Sequence, residues 1–90
     1  MNAQEERLQA WKRLTWLNSR GGGKYNQKEL ADLIGTTQGG VSTYLAEGIK
    51  QLAVCRWVGV LFERRCVQLG LDPSTVDASL PEPPLEAVAA

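Results

Sequence analysis

Apolar residues recur every three or four positions through most of the chain, which is the periodicity of amphipathic helices. The first helix is predicted from Gln4 to Asn18, with two glutamates in its first turn, where the helix dipole favours anions. The residues predicted to face inward are Leu8, Trp11 and Leu14. Trp16 and Leu17 fall on other faces, so we expect part of this helix to meet something besides its own core.

Two short helices are predicted next, at Gln27 to Ile34 and at Gln38 to Leu45 or Ala46. Asn26 can cap the first of them, with Glu29 three residues later completing a capping box. Gly35 can end that helix in a left-handed conformation. Thr37 is placed to cap the next helix. Gly39 and Gly40 weaken that helix by about 1 kcal/mol each relative to alanine, which suggests close approach of another molecule, and DNA is the obvious candidate.

Three consecutive glycines, Gly21 to Gly23, separate the first helix from the second and predict a mobile turn. A phosphate-binding nucleotide loop is not indicated, because no Gly-Lys-Ser/Thr follows and no strand precedes the glycines. The flanking Arg20 and Lys24 could instead reach a nucleic-acid backbone.

A richly apolar fourth helix is predicted from about Gln51 to Leu69, ending at Gly70. Its apolar positions exceed one face, which leaves two interpretations: a central core helix, or a helix that also buries surface in a partner. Asp72 and Pro73 then begin a short fifth helix, as cap and first-turn residue. Five helices and no credible strand predict an all-α fold, with one domain over residues 1–80 and a disordered proline-rich tail over 81–90.

Composition bounds the function. A chain of 90 residues with 43% hydrophobic residues suits one small globular domain. No apolar run approaches the roughly 20 residues that span a bilayer, and the N-terminus does not resemble a signal peptide, so we expect a cytoplasmic protein without a membrane partner. With no histidine and only two cysteines, the usual zinc patterns and nucleophile pairs are missing. We therefore expect no enzyme, no metal and no cofactor.

Cys55 and Cys66 are eleven residues apart, about three turns of one helix, which is too far to bridge. The favoured interpretation is two buried small hydrophobic residues, and the alternative is an intermolecular disulfide or redox switch.

Net charge is zero, which by itself argues against a nucleic-acid partner. The distribution of the charges along the chain argues for such a partner. All ten basic residues lie between Arg7 and Arg65 beside only four acidic ones, giving +6, whereas six acidic residues in the flanks give −6. A basic centre suits a surface that faces DNA, although a well-mixed soluble surface would show the same totals.

The spacing between Asn26 and Leu45 is typical of a helix-turn-helix, a motif that lays its second helix into the DNA major groove. The positions that carry the pattern are Leu30, Ala31, Ile34, Gly35, Val41 and Leu45. The segment from Gln27 to Gln51 resembles the DNA-binding domain of phage lambda repressor and its Cro-type relatives. This resemblance, which covers Trp11 to about Leu80, implies a compact five-helix domain whose second and third helices form the motif.

The resemblance also implies roles for two glutamines: Gln27 would hold a phosphate and Gln38 would bond an adenine edge. Two departures from the family pattern are Gly39, where a relative often places a base-reading serine, and one extra residue around Ala46 and Glu47. Small phage regulators of the Cro type are the better comparison, so we expect a bacterial or phage-encoded protein.

The helix-turn-helix interpretation predicts three groups of site residues. Base reading is predicted for Gln38, Ser42 and Thr43. Phosphate contacts are predicted for Lys24, Tyr25, Asn26, Gln27, Lys28 and Lys50. A homodimer interface is predicted at Trp57, Val60, Val67 and Leu71. Three of these residues also have an interpretation without DNA. Asn26 would then be only a helix cap, Tyr25 a residue that packs on Leu30 as a hydrophobic staple, and Ser42 an exposed polar residue without a function.

The sequence therefore predicts a homodimeric transcriptional regulator of the repressor type that reads an inverted repeat in double-stranded DNA. An activator fits the same residues, because activation and repression differ by operator position. The alternative of another class is a protein-interaction module on the same fold, such as an antitoxin or antirepressor-like adaptor, which the zero net charge and the two glycines favour.

Overall fold

A computed structural model of the chain describes residues 2–18 and 24–80 and contains five helices there and no strand. The helices are α1 (Ala3–Asn18), α2 (Gln27–Ile34), α3 (Gln38–Glu47), α4 (Leu52–Gln68) and α5 (Pro73–Ser79). The all-α prediction is confirmed, and the predicted helix ends agree to within one or two residues. The predicted tail over 81–90, Arg20 and the three glycines at 21–23 lie outside the described residues.

Side-chain caps set the starts of three helices, as the sequence predicts. The Asn26 side chain accepts from the Glu29 N–H at 2.8 Å, and the Glu29 carboxylate accepts from the Asn26 N–H at 3.2 Å, which completes the capping box. Thr37 Oγ1 accepts from the Gly40 N–H at 3.0 Å at the start of α3. Asp72 caps α5, with Pro73 in the first turn.

Gly35 ends α2 in the left-handed region, with φ +83°, and its N–H donates to the Ala31 carbonyl at 2.9 Å. Only three residues, 35–37, then separate α2 from α3, and the two helices pack against each other. Gly70 also has a positive φ, +71°, in the turn after α4.

The core lies along α4, whose buried residues are Cys55, Val58, Phe62 and Cys66. The other buried apolar residues are Ala10, Leu14, Leu17, Leu30, Ala31, Val41, Ile49 and Val76. Of the two interpretations of α4, the central core helix is therefore confirmed for one of its faces. Both cysteines are buried and unbridged, which confirms their interpretation as small core residues. Burial raises the pKa of both thiols, so they stay protonated at neutral pH.

The predicted inward face of α1 is partly wrong. Leu17 is fully buried and Trp16 packs edge-on against Phe62, with ring centroids 5.2 Å apart, whereas both were expected on other faces. Leu8 and Trp11 are only half-buried. The physical reason is that α1 buries the face centred on Ala10, Leu14 and Leu17, where the small side chain of Ala10 admits close packing.

Arg13 joins three helices. Its guanidinium binds both carboxylate oxygens of Asp77, at 2.9 and 2.6 Å, and lies 5.0 Å from the centroid of the Phe62 ring. A Cβ at Gly59 would lie 3.2 Å from Arg13 Nη1, so the glycine on α4 leaves room for this arrangement. The hydrogen bonding in which Arg13 donates to the Asp77 carboxylate raises the pKa of Arg13. Arg13 thus ties α1 to α4 and α5.

Candidate nucleic-acid interface

Helix α3 is attached to the domain by one side. Val41 is buried and two half-buried side chains, Tyr44 and Leu45, pack against the core. The indole N–H of Trp11 on α1 donates to the Leu45 carbonyl at 2.9 Å, in the second half of α3. Just beyond, Arg7 Nε donates to the Lys50 carbonyl at 3.0 Å. α1 therefore fixes the end of α3 and the connection to α4.

The opposite side of α3 is exposed and carries small and polar residues. The exposed positions are Gln38, Gly39, Ser42, Thr43, Ala46 and Glu47. Thr43 Oγ1 donates to the Gly39 carbonyl at 3.0 Å, so its methyl group and oxygen lone pairs are what it can offer a ligand. Within the described residues, the side chains of Gln38 and Ser42 make no hydrogen bond. The three predicted base-reading residues thus share one solvent-facing surface.

The two glycines in the first turn of α3 have different surroundings. A Cβ at Gly40 would lie 2.5 Å from Thr36 Oγ1, so the turn before α3 itself accounts for this glycine. The contact with Thr36 gives Gly40 an internal explanation beside the expected approach by DNA, which stays a prediction. A Cβ at Gly39 would meet only Thr37 Oγ1, at 3.9 Å, which is ordinary contact. Nothing in the described fold requires glycine at 39, where an alanine would stabilise an exposed helix.

The predicted phosphate contacts fall into two groups. Lys24, Lys28 and Lys50 are exposed and form no ion pair with any residue that the structure describes. Gln27 is half-buried and is the first residue of α2. Asn26 and Tyr25 already have structural partners. Asn26 is the cap of α2, and Tyr25 packs against the core with the Arg65 guanidinium 5.1 Å from its ring centroid. Their rival roles as cap and packing residue are the ones that the structure displays.

Several arginines of the basic central segment serve the fold. Arg13 pairs with Asp77, Arg65 stacks on Tyr25, and Arg56 lies 3.7 Å from Glu6. The +6 of this segment therefore overstates the charge free to meet a ligand. The roles of Trp11, Arg7 and Arg13 were missed from the sequence. Only Trp11 gave a signal, because an indole N–H that is partly buried usually needs an acceptor.

A second exposed surface lies on α4, opposite its buried face. Trp57, Val60, Val67 and Leu71 are 59%, 41%, 73% and 43% exposed. All four residues predicted for a dimer interface are thus at the surface. Leu69, in the same turn as Gly70, and Leu33 on α2 are the other large apolar residues exposed in the described ranges.

No helix in the described part of the chain is long and apolar enough to cross a membrane. Among the same residues, no group of three or more carboxylate or cysteine side chains is placed to hold a metal ion.

Comparison with protein-family models, with curated proteins and with solved structures found no match to this chain. The resemblance of Gln27 to Gln51 to the lambda repressor family therefore stays a prediction that rests on the sequence. The described residues supply five helices, a short α2–α3 turn and the exposed faces of α3 and α4, and a functional proposal has to use these features.

Proposed function

We propose that this protein is a sequence-specific DNA-binding transcriptional regulator in which α2 and α3 act as a helix-turn-helix. The observation that carries the proposal is the two-sided character of α3. One side is fixed by Val41, the Trp11 hydrogen bond and the short turn at 35–37, and the other presents small and polar side chains to solvent. A helix held in this way can enter the major groove, which is wide enough to admit it.

Base recognition falls to the exposed face of α3. The Gln38 amide can donate to and accept from one adenine in the major groove. Ser42 lies one turn later and can bond a base edge, while the methyl group of Thr43 suits the methyl group of thymine. Gly39 has no side chain, so at this position the backbone of α3 can come close to the DNA.

Phosphate contacts fall to the three exposed lysines, Lys24, Lys28 and Lys50, with Gln27 at the start of α2. Such contacts set the register of a protein on the duplex without reading sequence. Because the net charge of the chain is zero, general attraction to DNA is weak, and the local lysines have to supply the electrostatic part of binding.

One copy offers few base contacts, so we propose that a homodimer reads an inverted repeat with half-sites about 34 Å apart, or a related spacing. Repression then follows when such a site overlaps a promoter. Trp57, Val60, Val67 and Leu71 on the exposed side of α4 and the turn after it provide the apolar surface for self-association.

The first experiment is selection of binding sites from a random duplex library at about 150 mM salt, where non-specific phosphate binding is weak. We expect an enriched inverted repeat. Gln38→Ala should lose preference at one base pair in each half-site by about tenfold, since a good bidentate contact discriminates by about 1–3 kcal/mol. Gln4→Ala, which truncates an exposed glutamine on α1, is the matched control and should select the wild-type sequence. Absence of enrichment with folded protein would refute the proposal.

A protein-interaction module is the second candidate, favoured by the exposed indole of Trp57 on a helix that also carries two exposed valines. The two functions respond differently to the same variants. For a module, Trp57→Ala abolishes activity and Gln38→Ala leaves it intact. For a DNA-binding regulator, Gln38→Ala alone changes which sequence is bound.

A further inference from the structure

The last turn of α3 receives a hydrogen bond from another helix. The final four carbonyls of an α-helix have no partner within the helix itself. The first of these in α3, the Tyr44 carbonyl, accepts from the Gly48 N–H at 2.9 Å. The next one, the Leu45 carbonyl, accepts from the indole N–H of Trp11 on α1, also at 2.9 Å. Trp11 therefore completes the end of α3 with a donor that the backbone of α3 does not supply.

α3 depends on such outside contacts because its own sequence favours a helix only weakly. It has 10 residues, fewer than the roughly 12–15 below which isolated helices are marginal in water. Gly39 and Gly40 lower its helical propensity further. Its last turn holds no basic residue, and Glu47 there carries the charge that the helix dipole disfavours. The position of the end of α3 is therefore set by tertiary contacts.

A second donor on α1 lies one turn before Trp11. Arg7 Nε donates to the Lys50 carbonyl at 3.0 Å, just beyond the end of α3. Residues four apart on a helix lie side by side on one face, so α1 presents both donors to the same end of α3. The two bonds together fix the path of the chain from Leu45 to Lys50.

We propose that Trp11 is a positioning residue for DNA recognition, through the hydrogen bond that it makes to the second half of α3. That bond fixes where Ser42 and Thr43 lie against the bases, while the indole itself reads no base. Its one N–H is already bonded to the Leu45 carbonyl, and an indole has no second donor. The inference rests on the proposed function and extends it to a residue of α1, outside the helix-turn-helix.

The two ends of α3 are held by different contacts. At its start, the side-chain cap and the short turn at 35–37 hold Gln38 in place. Thr43 lies two residues before Leu45, within one turn of the carbonyl that Trp11 bonds. Gln38 is about 10 Å from Leu45 along the axis, at 1.5 Å per residue. Loss of the Trp11 bond should therefore displace Thr43 more than Gln38.

Trp11→Phe tests the bond, because it removes the N–H and keeps an aromatic ring. Gln38→Ala and Thr43→Ala first identify the base pair that each side chain reads, by the preference that each variant loses. Dissociation constants are then measured for the selected site and for sites with one of these base pairs changed. For Trp11→Phe we expect discrimination at the Thr43 base pair to fall about tenfold, and at the Gln38 base pair to stay within about twofold.

Asp77→Ala is the control for a merely structural effect. It destabilises the domain through Arg13, which is also on α1 but contacts α4 and α5. A loss of folded protein weakens binding to all sites alike and leaves their ratios unchanged. We therefore expect Asp77→Ala to keep the wild-type discrimination at both base pairs. A graded loss in this control, or an equal loss at both base pairs in Trp11→Phe, overturns the proposal.

Hydrogen exchange of the indole protons tests the bond in the wild-type protein, whether or not the Trp11 variant folds. Followed by NMR in the free protein at neutral pH, the Trp11 indole N–H should exchange at least about tenfold more slowly than that of Trp57, which is 59% exposed. Equal exchange rates would overturn the proposal, because no bond to α3 would then be present.

The two proposals can fail separately. If the wild-type protein selects a sequence and Trp11→Phe discriminates at every base pair as the wild-type protein does, the DNA-binding function stands and the positioning role is wrong. If the wild-type protein selects no sequence although the Trp11 indole proton is protected, the proposed function is wrong, and the positioning role that rests on it is wrong as well.

Discussion

At the scale of single residues, Arg13 shows how one charged side chain can hold three helices of a small domain. It binds Asp77 through two hydrogen bonds and lies over Phe62, and the side chains of Arg13 and Asp77 are 21% and 19% exposed. Removing the carboxylate leaves a largely desolvated guanidinium without its acceptor. We expect Asp77→Ala to lower the free energy of unfolding by about 2 kcal/mol, measured by urea denaturation followed by circular dichroism.

Asp32 provides the control for that measurement. It is an exposed carboxylate on α2 without an ion pair inside the described ranges, and its removal changes net charge by the same amount. Asp32→Ala should alter the free energy of unfolding by less than about 0.5 kcal/mol. Equal losses in the two variants would mean that net charge, and not the contact with Arg13, stabilises the fold.

At the scale of one helix, α3 contains a glycine that costs stability and has no internal explanation. We expect Gly39→Ala to raise the free energy of unfolding by up to about 1 kcal/mol, because the new Cβ meets only Thr37 Oγ1 at 3.9 Å. The same methyl group should weaken operator binding about tenfold, the effect of a crowding cost near 1.4 kcal/mol. Urea denaturation and fluorescence anisotropy measure the two effects, and unchanged DNA affinity would contradict close approach at Gly39.

Gly40 gives the matched comparison. Its Cβ would lie 2.5 Å from Thr36 Oγ1, so Gly40→Ala forces that hydroxyl to turn and should gain less stability than Gly39→Ala. In a Thr36→Ala background the obstacle is absent, and Gly40→Ala should then stabilise as Gly39→Ala does. A gain at Gly40 that does not depend on Thr36 would show that the contact is not what requires glycine there.

The helix ends could be predicted from the sequence because their causes are local. The caps at Asn26 and Asp72 bond to backbone groups two or three residues away, and Gly35 bonds within its own turn. The inward face of α1 could not be predicted, since it depends on helices far along the chain. Arg13 binds Asp77, which is 64 positions away, and no sequence pattern in α1 indicates this partner.

The candidate site was predictable to a similar limit. The exposed positions of α3 followed from periodicity, which is why Gln38, Ser42 and Thr43 all lie on its outer surface. The contacts that hold α3 in place could not be predicted from periodicity, because the Trp11 N–H donates to a carbonyl 34 residues away. The charge of the basic segment overstated the number of available arginines for the same reason. Contacts with distant carboxylates and aromatic rings decide which arginines are free to bind a ligand.

At the scale of the whole molecule, stability should fall in alkaline solution because both cysteines lie in the core. Folding raises the pKa of Cys55 and Cys66, chiefly through desolvation, so the unfolded chain loses its thiol protons first. The contribution of the neutral thiols is complete below the unfolded pKa, about 8.5, and is lost as pH rises above it. With reductant present, urea denaturation between pH 7 and about 9.5 should show this decline.

A C55A/C66A double variant separates the thiols from other groups that titrate at high pH. It should be less stable throughout, because two buried side chains are shortened. Its unfolding free energy should nevertheless fall less steeply above about pH 8.5 than that of the wild-type chain. Parallel curves for the two proteins would mean that the thiols do not cause the alkaline decline.

The neutral charge of the molecule makes its salt dependence informative. With no net charge to attract DNA, the slope of log affinity against log salt should count the phosphates met by Lys24, Lys28 and Lys50, at about 0.9 per contact. A homodimer carries each lysine twice, so Lys28→Gln should reduce the slope by about 2 and weaken all sequences alike. Gln38→Ala should leave the slope unchanged and weaken only binding to the selected sequence, because a base contact releases no counterion.

Lys12→Gln on α1 is the control, because it removes the same charge outside the proposed contact set. If it flattens the slope as much as Lys28→Gln does, binding responds to total charge, and the assignment of phosphate contacts to α2 is wrong.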